Sequence, residues 1–189
     1  MDYLRDSNNL YDLAIQLDFC FVLRIGELLA LKWSDIEGNQ LHVQRSLNLV
    51  NEVHDDLSYG CRKIIAVDHI KGNASEGFRY EPITNSAASI LQRIGELGLD
   101  SEYIFSYKGS FLLTDTFNER LKKVCNEIGI PYKSSHKIRF TTASMLYEAD
   151  VSTIELQRML GHTTQAMTMH YLRRVTSSDG LTSTMNKVL

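Results

Sequence analysis

Three strand-like segments lie in the first half of the chain, and helical patterns flank this block on both sides. The segments cover residues 40–50, 62–69 and 78–84, and clusters of Gly, Asn, Asp and Ser bound them at 51–60 and 71–77. Short apolar runs between such turn-forming clusters are typical of neighbouring antiparallel strands. The sequence therefore predicts a small three-stranded antiparallel β-sheet inserted after the first helices.

Helical patterns account for most of the remaining chain. Residues 10–32 predict a helix that is broken near Phe21 and Val22, where the apolar run is too continuous to form a single stripe. Further helices are expected at 85–97, 114–128, 137–148, 152–160 and 164–172. We predict a mostly α-helical α+β domain over residues 1–174, followed by a tail at 175–189 that could dock on a neighbouring protomer or be frayed.

Composition is that of an ordinary globular protein. Of the 189 residues, 43% are hydrophobic and 23% are charged, which supports a core without disulfide or metal staples and argues against disorder. Three cysteines without a C-x-x-C motif suit reduced thiols. No apolar run approaches the roughly 18 residues of a membrane span, and the N-terminus does not begin a signal peptide. We expect a cytoplasmic protein with no membrane partner.

Charge is distributed unevenly along the chain, although the net charge is only −3. Residues 1–60 contain ten acidic side chains and four Lys or Arg, whereas residues 120–139 contain six Lys or Arg and one acidic side chain. Phosphate binding depends on the local field rather than on the total charge, so a basic face remains compatible with DNA. The alternative is that the cluster from Arg120 to Lys123 is a solvated helix face.

Arg24 and Glu27 lie three residues apart within an apolar stretch, so a helix would place them on one face. An arginine among leucines and isoleucines is largely desolvated and needs an anionic partner. The two residues could form a buried ion pair and nothing more. Alternatively, Glu27 could aim the Arg24 guanidinium at a bound phosphate, and the two interpretations are compatible.

His136 and Arg139 are also three residues apart, at the expected start of a helix. Side chains at this spacing point the same way, alongside free backbone N–H groups, which suits an anionic oxygen. Further along, Gly161 is a natural helix C-cap, and His162 begins the connection to a last helix that carries Tyr171. Tyr171 could equally be a half-buried packing residue.

A turn lysine and the C-terminal histidines are two further candidates for functional residues. Lys71 lies in the turn between two predicted strands, where a lysine is usually solvated. The histidines of the C-terminal half have no cysteine or acidic residue at ligand spacing, which argues against a metal site.

Taken in order, these residues resemble the catalytic signature of the tyrosine recombinases, the phage integrase family. The resemblance is carried by two stretches, LRIGELLALKWSDI and SHKIRFTTASMLYEADVSTIELQRMLGHTTQAMTMHYL, and runs from about residue 10 to residue 175. The long second stretch, with its internal spacings, is highly specific. Within the family, the sequence is similar to integrases of conjugative transposons and related phages of Gram-positive bacteria.

The resemblance implies a site-specific DNA recombinase that cleaves and rejoins strands through a 3′-phosphotyrosyl intermediate, for integration or excision of a mobile element. Tyr171 would be the nucleophile. Arg24 and Arg139 would hold the non-bridging phosphate oxygens and neutralise developing charge. Lys71 would be the general acid that protonates the departing 5′-oxygen.

The remaining implied roles support this chemistry. His136 would assist proton transfer at the tyrosine, His162 would hydrogen-bond the phosphate, and Glu27 would position active-site groups from behind. DNA-binding side chains would include Lys133, Lys137 and Arg173. No metal or other cofactor is implied, because the phosphotyrosyl bond conserves the energy for rejoining. The implied partners are double-stranded DNA recombination sites. Four protomers would bind these sites in the synaptic complex, and the protein would be a monomer when free in the bacterial cytoplasm.

The sequence departs from the family pattern at two positions and in its extent. Val22 stands two residues before Arg24, where the family usually has Gly, and Phe140 follows Arg139, where it often has His. The chain has no room for an N-terminal core-binding domain, so we expect a catalytic domain alone. The alternatives are a type IB topoisomerase-like enzyme that relaxes DNA as a monomer, and a non-catalytic DNA-binding remnant.

Overall fold

The computed structural model describes residues 2–70 and 77–173. In these ranges the helices are α1 (Leu10–Asp18), α2 (Ile25–Leu29), α3 (Asn85–Glu96), α4 (Thr114–Glu127), α5 (Ser135–Glu148), α6 (Thr153–Leu160) and α7 (Gln165–Arg173). The strands are β1 (Ile36–Glu37), β2 (Gln40–Val43), β3 (Ser46–Val53), β4 (Tyr59–Val67), β5 (Arg79–Pro82), β6 (Ser106–Tyr107) and β7 (Ser110–Phe111). The mostly helical α+β class is therefore confirmed.

The predicted break in the first helix is confirmed. Helix α1 ends at Asp18, and the chain runs without regular structure until α2 begins at Ile25. Phe21, Val22 and Leu23 in this connection are each at most 1% exposed. The break therefore lies in the interior of the domain, next to α1, whose residues 12–18 are also all buried.

The sheet differs from the prediction in which strands pair. The predicted strand 40–50 is divided, and β2 pairs with β1 and β5, whereas β3 pairs with β4 in a separate two-stranded sheet. The division falls at Gln44 and Arg45, whose side chains both hydrogen-bond Oδ1 of Asp35. Arg45 is 8% exposed, and Asp35 supplies the partner that its buried charge requires.

The β3–β4 hairpin packs on α2 through a close backbone approach at Gly26. A Cβ atom at this position would lie 2.8 Å from Ser46 Oγ and 3.0 Å from the Leu47 carbonyl oxygen. Glycine therefore lets β3 lie directly against the helix that begins at Arg24. Strand β4 starts at Tyr59, earlier than predicted.

Two hydrophobic clusters organise the described residues. The larger one joins α1, α2, α3, α4 and the three-stranded sheet, and its fully buried members include Leu13, Leu28 and Phe117. The smaller cluster joins the connection after α1 to α5 and α6 through Val22, Ala143 and Leu160, with Tyr171 of α7 packed at its edge. The three C-terminal helices are thus brought against the segment that precedes Arg24.

The three cysteines are free thiols: Cys20, Cys61 and Cys125. In the described part of the chain, no helix is long and apolar enough to cross a membrane.

Candidate active site

Arg24 lies at the N-cap of α2. The three-residue spacing to Glu27 had instead predicted that both residues lie inside one helix. The backbone N–H of Arg24 donates to Glu27 Oε2 at 2.9 Å, and its Nη1 donates to Oε1 of the same carboxylate at 2.9 Å. Glu27 is 1% exposed, but the Arg24 side chain is 31% exposed. The carboxylate therefore anchors a cation that a ligand from solvent can still reach.

A second arginine, Arg79, binds the same carboxylate from strand β5. Its Nη2 donates to Glu27 Oε2 at 2.7 Å, and its Nε donates to Glu81 Oε1 at 3.0 Å. Both Arg79 and Glu81 are almost fully buried. Burial raises the pKa of Glu81 to about 7, although Arg79 opposes this shift. Burial would also raise the pKa of Glu27, but Arg79 and other cations bring it below its usual value.

Arg79 and Glu81 are not among the predicted site residues, although their spacing carries a signal. Arg79 and Glu81 are two residues apart in a strand, so both side chains point to one face of the sheet. The strand buries alternate residues, and the two charged residues take the buried positions. An Arg-x-Glu pair in a strand with exposed Tyr80 between them therefore indicates a charged pair directed into the interior.

Arg139 reaches the same region from α5, and its Nη1 lies 3.9 Å from Glu27 Oε2. Its Nη1 donates to the Val22 carbonyl oxygen at 2.8 Å, and its Nη2 donates to the Leu160 carbonyl oxygen. Val22 is therefore accommodated in place of glycine, since its backbone carbonyl binds Arg139 while its side chain joins the smaller cluster. Burial lowers the pKa of Arg139 to about 10, and Arg24 acts in the same direction.

His162 and His136 are the two imidazoles of this region. His162 Nδ1 lies 3.0 Å from Thr168 Oγ1, and burial together with the charge on Arg139 lowers its pKa to about 4. His136 is exposed at the first turn of α5. Partial desolvation and the charge on Arg139 lower its pKa as well. Both rings are thus neutral near pH 7.

Tyr171 lies between these groups on α7. Its ring centroid is 5.6 Å from that of His162, 6.1 Å from that of His136 and 5.1 Å from that of Phe140. Among the described residues its buried hydroxyl has no hydrogen-bond partner of ordinary geometry. Burial raises the pKa of Tyr171, and the nearby Arg139 guanidinium opposes the shift. The phenol is therefore protonated at neutral pH.

The phenol faces a cavity of about 390 Å³ lined by His136, Lys137, Phe140, His162, Met167, His170 and Tyr171. The cavity joins residues of α5, α7 and the loop between α6 and α7. It offers a hydroxyl, neutral imidazoles and an ammonium group beside the buried guanidinium of Arg139. Such a site suits an anionic ligand that reacts with a hydroxyl nucleophile.

Gly161 provides the turn that brings His162 to the cavity, with φ of 57° at the C-cap of α6. A Cβ atom there would lie 3.4 Å from Arg79 Nη1 and 3.7 Å from Arg24 Nη1. We expect Gly161→Ala to cost roughly 1 kcal/mol of left-handed backbone strain, because the added methyl group meets the two guanidinium groups at ordinary van der Waals distance. Urea denaturation measures the free energy of unfolding.

Gly98 supplies the matched control, since it follows α3 with φ of 61° and has nothing within 4 Å of an added Cβ. Gly98→Ala should therefore show the backbone strain alone. Similar losses of stability are expected in the two variants, and a clearly larger loss in Gly161→Ala would mean that the guanidinium groups leave no room for the methyl group.

The lowered pKa of His162 predicts a pH-dependent contribution to stability. The imidazole titrates near its ordinary 6.5 in the unfolded chain and near 4 in the folded one. Between these values the unfolded state binds more protons, so the contribution is complete above pH 6.5 and is lost as the pH falls toward 4. The contribution of Glu81 to stability has the opposite pH dependence, because its raised pKa favours the folded state below about pH 7.

Comparing the pH dependence of stability in wild type and His162→Asn separates the contribution of His162 from that of Glu81, because both proteins contain Glu81. Wild type should lose more stability than the variant between pH 7 and pH 5, as measured by urea denaturation at each pH. Parallel pH dependences in the two proteins would contradict the low pKa of His162.

The remaining predicted site residues are described in part. Lys71 lies outside the described residues, as do residues 175–189, and the side chain of Arg173 is likewise not described. Lys133 is exposed, and Lys137 is exposed with its Nζ 5.0 Å from the ring centroid of Phe140. In the described ranges, no group of three His, Cys, Asp or Glu side chains is arranged to hold a metal ion.

Comparison with known sequences places this geometry in context. The chain matches the Phage integrase family over residues 1–177. A tyrosine recombinase XerC-like protein of Caldanaerobacter subterraneus subsp. tengcongensis is 30% identical over 170 residues, which cover 81% of this chain and 42% of that protein. The ICEBs1 integrase of Bacillus subtilis is 24% identical over 151 residues, which cover 74% and 38%. The chain spans less than half the length of these curated relatives.

Solved structures share the fold. The Tn1549 transposon integrase in complex with circular intermediate DNA has a TM-score of 0.72 at 18% identity, covering 100% of this chain and 63% of that chain. The XerA recombinase has a TM-score of 0.70 at 18% identity, covering 98% and 58%. The resemblance to tyrosine recombinases and conjugative-transposon integrases is therefore confirmed.

Proposed function

Because the chain belongs to the phage integrase family, we propose that it is the catalytic domain, over residues 1–174, of a site-specific DNA recombinase. It cleaves and rejoins DNA strands for the integration or excision of a mobile element. The observation that supports this most directly is the position of Tyr171, whose phenol lies among two neutral imidazoles and a buried arginine.

In the proposed cleavage step, Tyr171 Oη attacks the phosphorus of a DNA phosphodiester. The new P–O bond to the tyrosine forms as the bond from phosphorus to the 5′-oxygen breaks. The phenol proton passes to the neutral imidazole of His136, and the 5′-oxygen takes a proton from Lys71. Arg24 and Arg139 stabilise the negative charge on the non-bridging oxygens.

The protonation states of the site are consistent with these roles. The raised pKa of Tyr171, caused by burial, means that the phenol needs a base at neutral pH. The lowered pKa of His136, caused first by desolvation, leaves that ring able to accept the proton. Glu27 binds Arg24 directly, and we infer that it positions this guanidinium at the phosphate.

We further propose that Tyr171 acts in cis. Its ring packs on His136, Phe140 and His162 of its own chain, so no segment of a second protomer is needed to supply the nucleophile.

The proposed partner is double-stranded DNA containing recombination sites. The Tn1549 and lambda integrases were solved with DNA, which supports this choice of partner. Lys137 lines the cavity and Lys133 is an exposed cation of the preceding segment, so both could contact phosphates, and Arg173 is kept as a third candidate from the sequence. We propose a free monomer in the bacterial cytoplasm and a tetramer on two DNA sites during recombination.

Covalent trapping tests the proposal. The protein is mixed with duplex oligonucleotides of random core sequence, each nicked so that the fragment carrying the 5′-hydroxyl diffuses away after cleavage. Denaturing gels then reveal protein that carries DNA. Trypsin digestion should place the adduct on residues 159–173, in which Tyr171 is the one tyrosine.

The outcome decides between recombinase and non-catalytic remnant. An adduct on the 159–173 peptide supports the proposal, and sequencing the trapped DNA begins to define the site. If no adduct forms, the experiment is repeated with the chain fused to a DNA-clamping domain. If the fused protein also forms no covalent adduct, the recombinase assignment is overturned.

A further inference from the structure

A buried threonine of α7 contacts the imidazole of His162. Thr168 is 0% exposed, and its Oγ1 lies 3.0 Å from Nδ1 of the histidine. Among the described residues, this ring nitrogen is the hydrogen-bond partner found for the Thr168 hydroxyl. Thr168 also stands three residues before Tyr171, so the contact joins the nucleophile's helix to the imidazole.

The surroundings of His162 restrict which ring nitrogen carries its proton. Burial and the nearby charges of Arg139 and Arg24 lower the pKa of the ring, so it is neutral at pH 7 and has a single N–H. Among the described residues the buried Thr168 hydroxyl has no other acceptor for its proton, so an unprotonated Nδ1 is the arrangement that satisfies it. The backbone N–H of His162 donates to the Gln157 carbonyl, and the Gln157 side chain donates to the His162 carbonyl, which holds the residue in place.

We propose that Thr168 is a positioning residue that donates its hydroxyl proton to His162 Nδ1 and thereby selects the Nε2–H tautomer. The tautomer of a histidine is set by the hydrogen bond that its other nitrogen makes. With Nδ1 occupied as an acceptor, Nε2–H is the donor that His162 offers to the cavity it lines.

The proposal rests on the proposed function for its catalytic consequence. A phosphate oxygen accepts hydrogen bonds, so the Nε2–H tautomer attracts it. The opposite tautomer presents a lone pair to the anion and repels it. Thr168 therefore acts on the DNA phosphate only through His162, and its loss should slow cleavage while the DNA-free fold is retained.

The test compares Thr168→Val, which keeps the branched shape and removes the hydroxyl, with Thr168→Ser, which keeps the hydroxyl. Long-range ¹⁵N–¹H spectra of the DNA-free protein distinguish the protonated from the unprotonated ring nitrogen, and His162→Asn identifies the His162 signals. We expect the Nε2–H tautomer in wild type and Thr168→Ser, and a shift toward Nδ1–H in Thr168→Val. The exposed Thr141→Val on α5 is the matched control and should leave the tautomer unchanged.

Covalent trapping supplies the second readout. Thr168→Val should form adduct roughly 10-fold to 100-fold more slowly than wild type, with recovery in Thr168→Ser. A His162 tautomer that is Nδ1–H in wild type, or that is unchanged in Thr168→Val, overturns the proposal. If the tautomer shifts but wild type forms no adduct even when fused to a clamp, the proposed function fails and the role of Thr168 in fixing the tautomer stands.

Discussion

Replacing Tyr171 with phenylalanine is expected to abolish the covalent DNA adduct and to leave folding and DNA affinity intact. The phenylalanine ring keeps the edge contacts to His136, Phe140 and His162. The hydroxyl that it removes has no hydrogen-bond partner of ordinary geometry among the described residues, so its loss strands no polar group. Loss of a nucleophile costs about 10⁴-fold or more in rate.

The measurement is the yield of adduct with nicked duplexes, together with the melting temperature and a DNA-binding isotherm. Tyr147→Phe is the matched control, because this half-buried tyrosine of the same region lies outside the cavity. Persistence of the adduct in Tyr171→Phe would place the nucleophile elsewhere. A parallel loss of DNA affinity would mean that the phenol contributes to binding and not to bond formation alone.

Glu27→Gln is expected to destabilise the folded state by about 3–5 kcal/mol, the cost of leaving a buried charge without its partner. Glutamine keeps the shape of the side chain but removes the charge that compensates Arg79, whose side chain is 2% exposed. Glu81 would remain as the partner of Arg79, but its own pKa of about 7 makes it a weak counter-ion near neutral pH. The Arg24 guanidinium would also lose its anchor.

Urea denaturation at pH 6 measures this loss, since Glu81 is then mostly protonated and Glu27 is the carboxylate that compensates Arg79. Glu52→Gln provides the control, because Glu52 pairs with Lys63 at 3.0 Å on the surface, with side chains 41% and 60% exposed. An exposed pair of this kind contributes about 0–1 kcal/mol. Similar losses in the two variants would show that the Glu27 carboxylate is not compensating a buried charge.

The candidate site was predictable from the sequence where its residues depend on local spacing. His136 and Arg139 are one helical turn apart at the start of α5, and Gly161 ends α6 immediately before His162, as predicted. Arg24 was placed wrongly within a helix, since it is the N-cap of α2 and its backbone N–H is bound by the Glu27 carboxylate.

Contacts between residues that are distant in the sequence were harder to predict. The pattern predicted one three-stranded sheet, but the division at Gln44 and Arg45 coincides with their shared contact with Asp35, which periodicity does not encode. Arg79 was missed for a similar reason, since its main partner Glu27 is 52 residues away in the sequence.

The sequence by itself determined the mixed class of the fold, the positions of the helices and the motif spacing that the phage integrase family shares. Helical turns, caps and strand alternation are local properties, so neighbouring residues specify them. Only the tertiary structure decided that Glu27 lies between Arg24 and Arg79, and that the phenol of Tyr171 lies against His162 near Arg139. A buried charge requires a partner, and packing alone determines which distant residue supplies it.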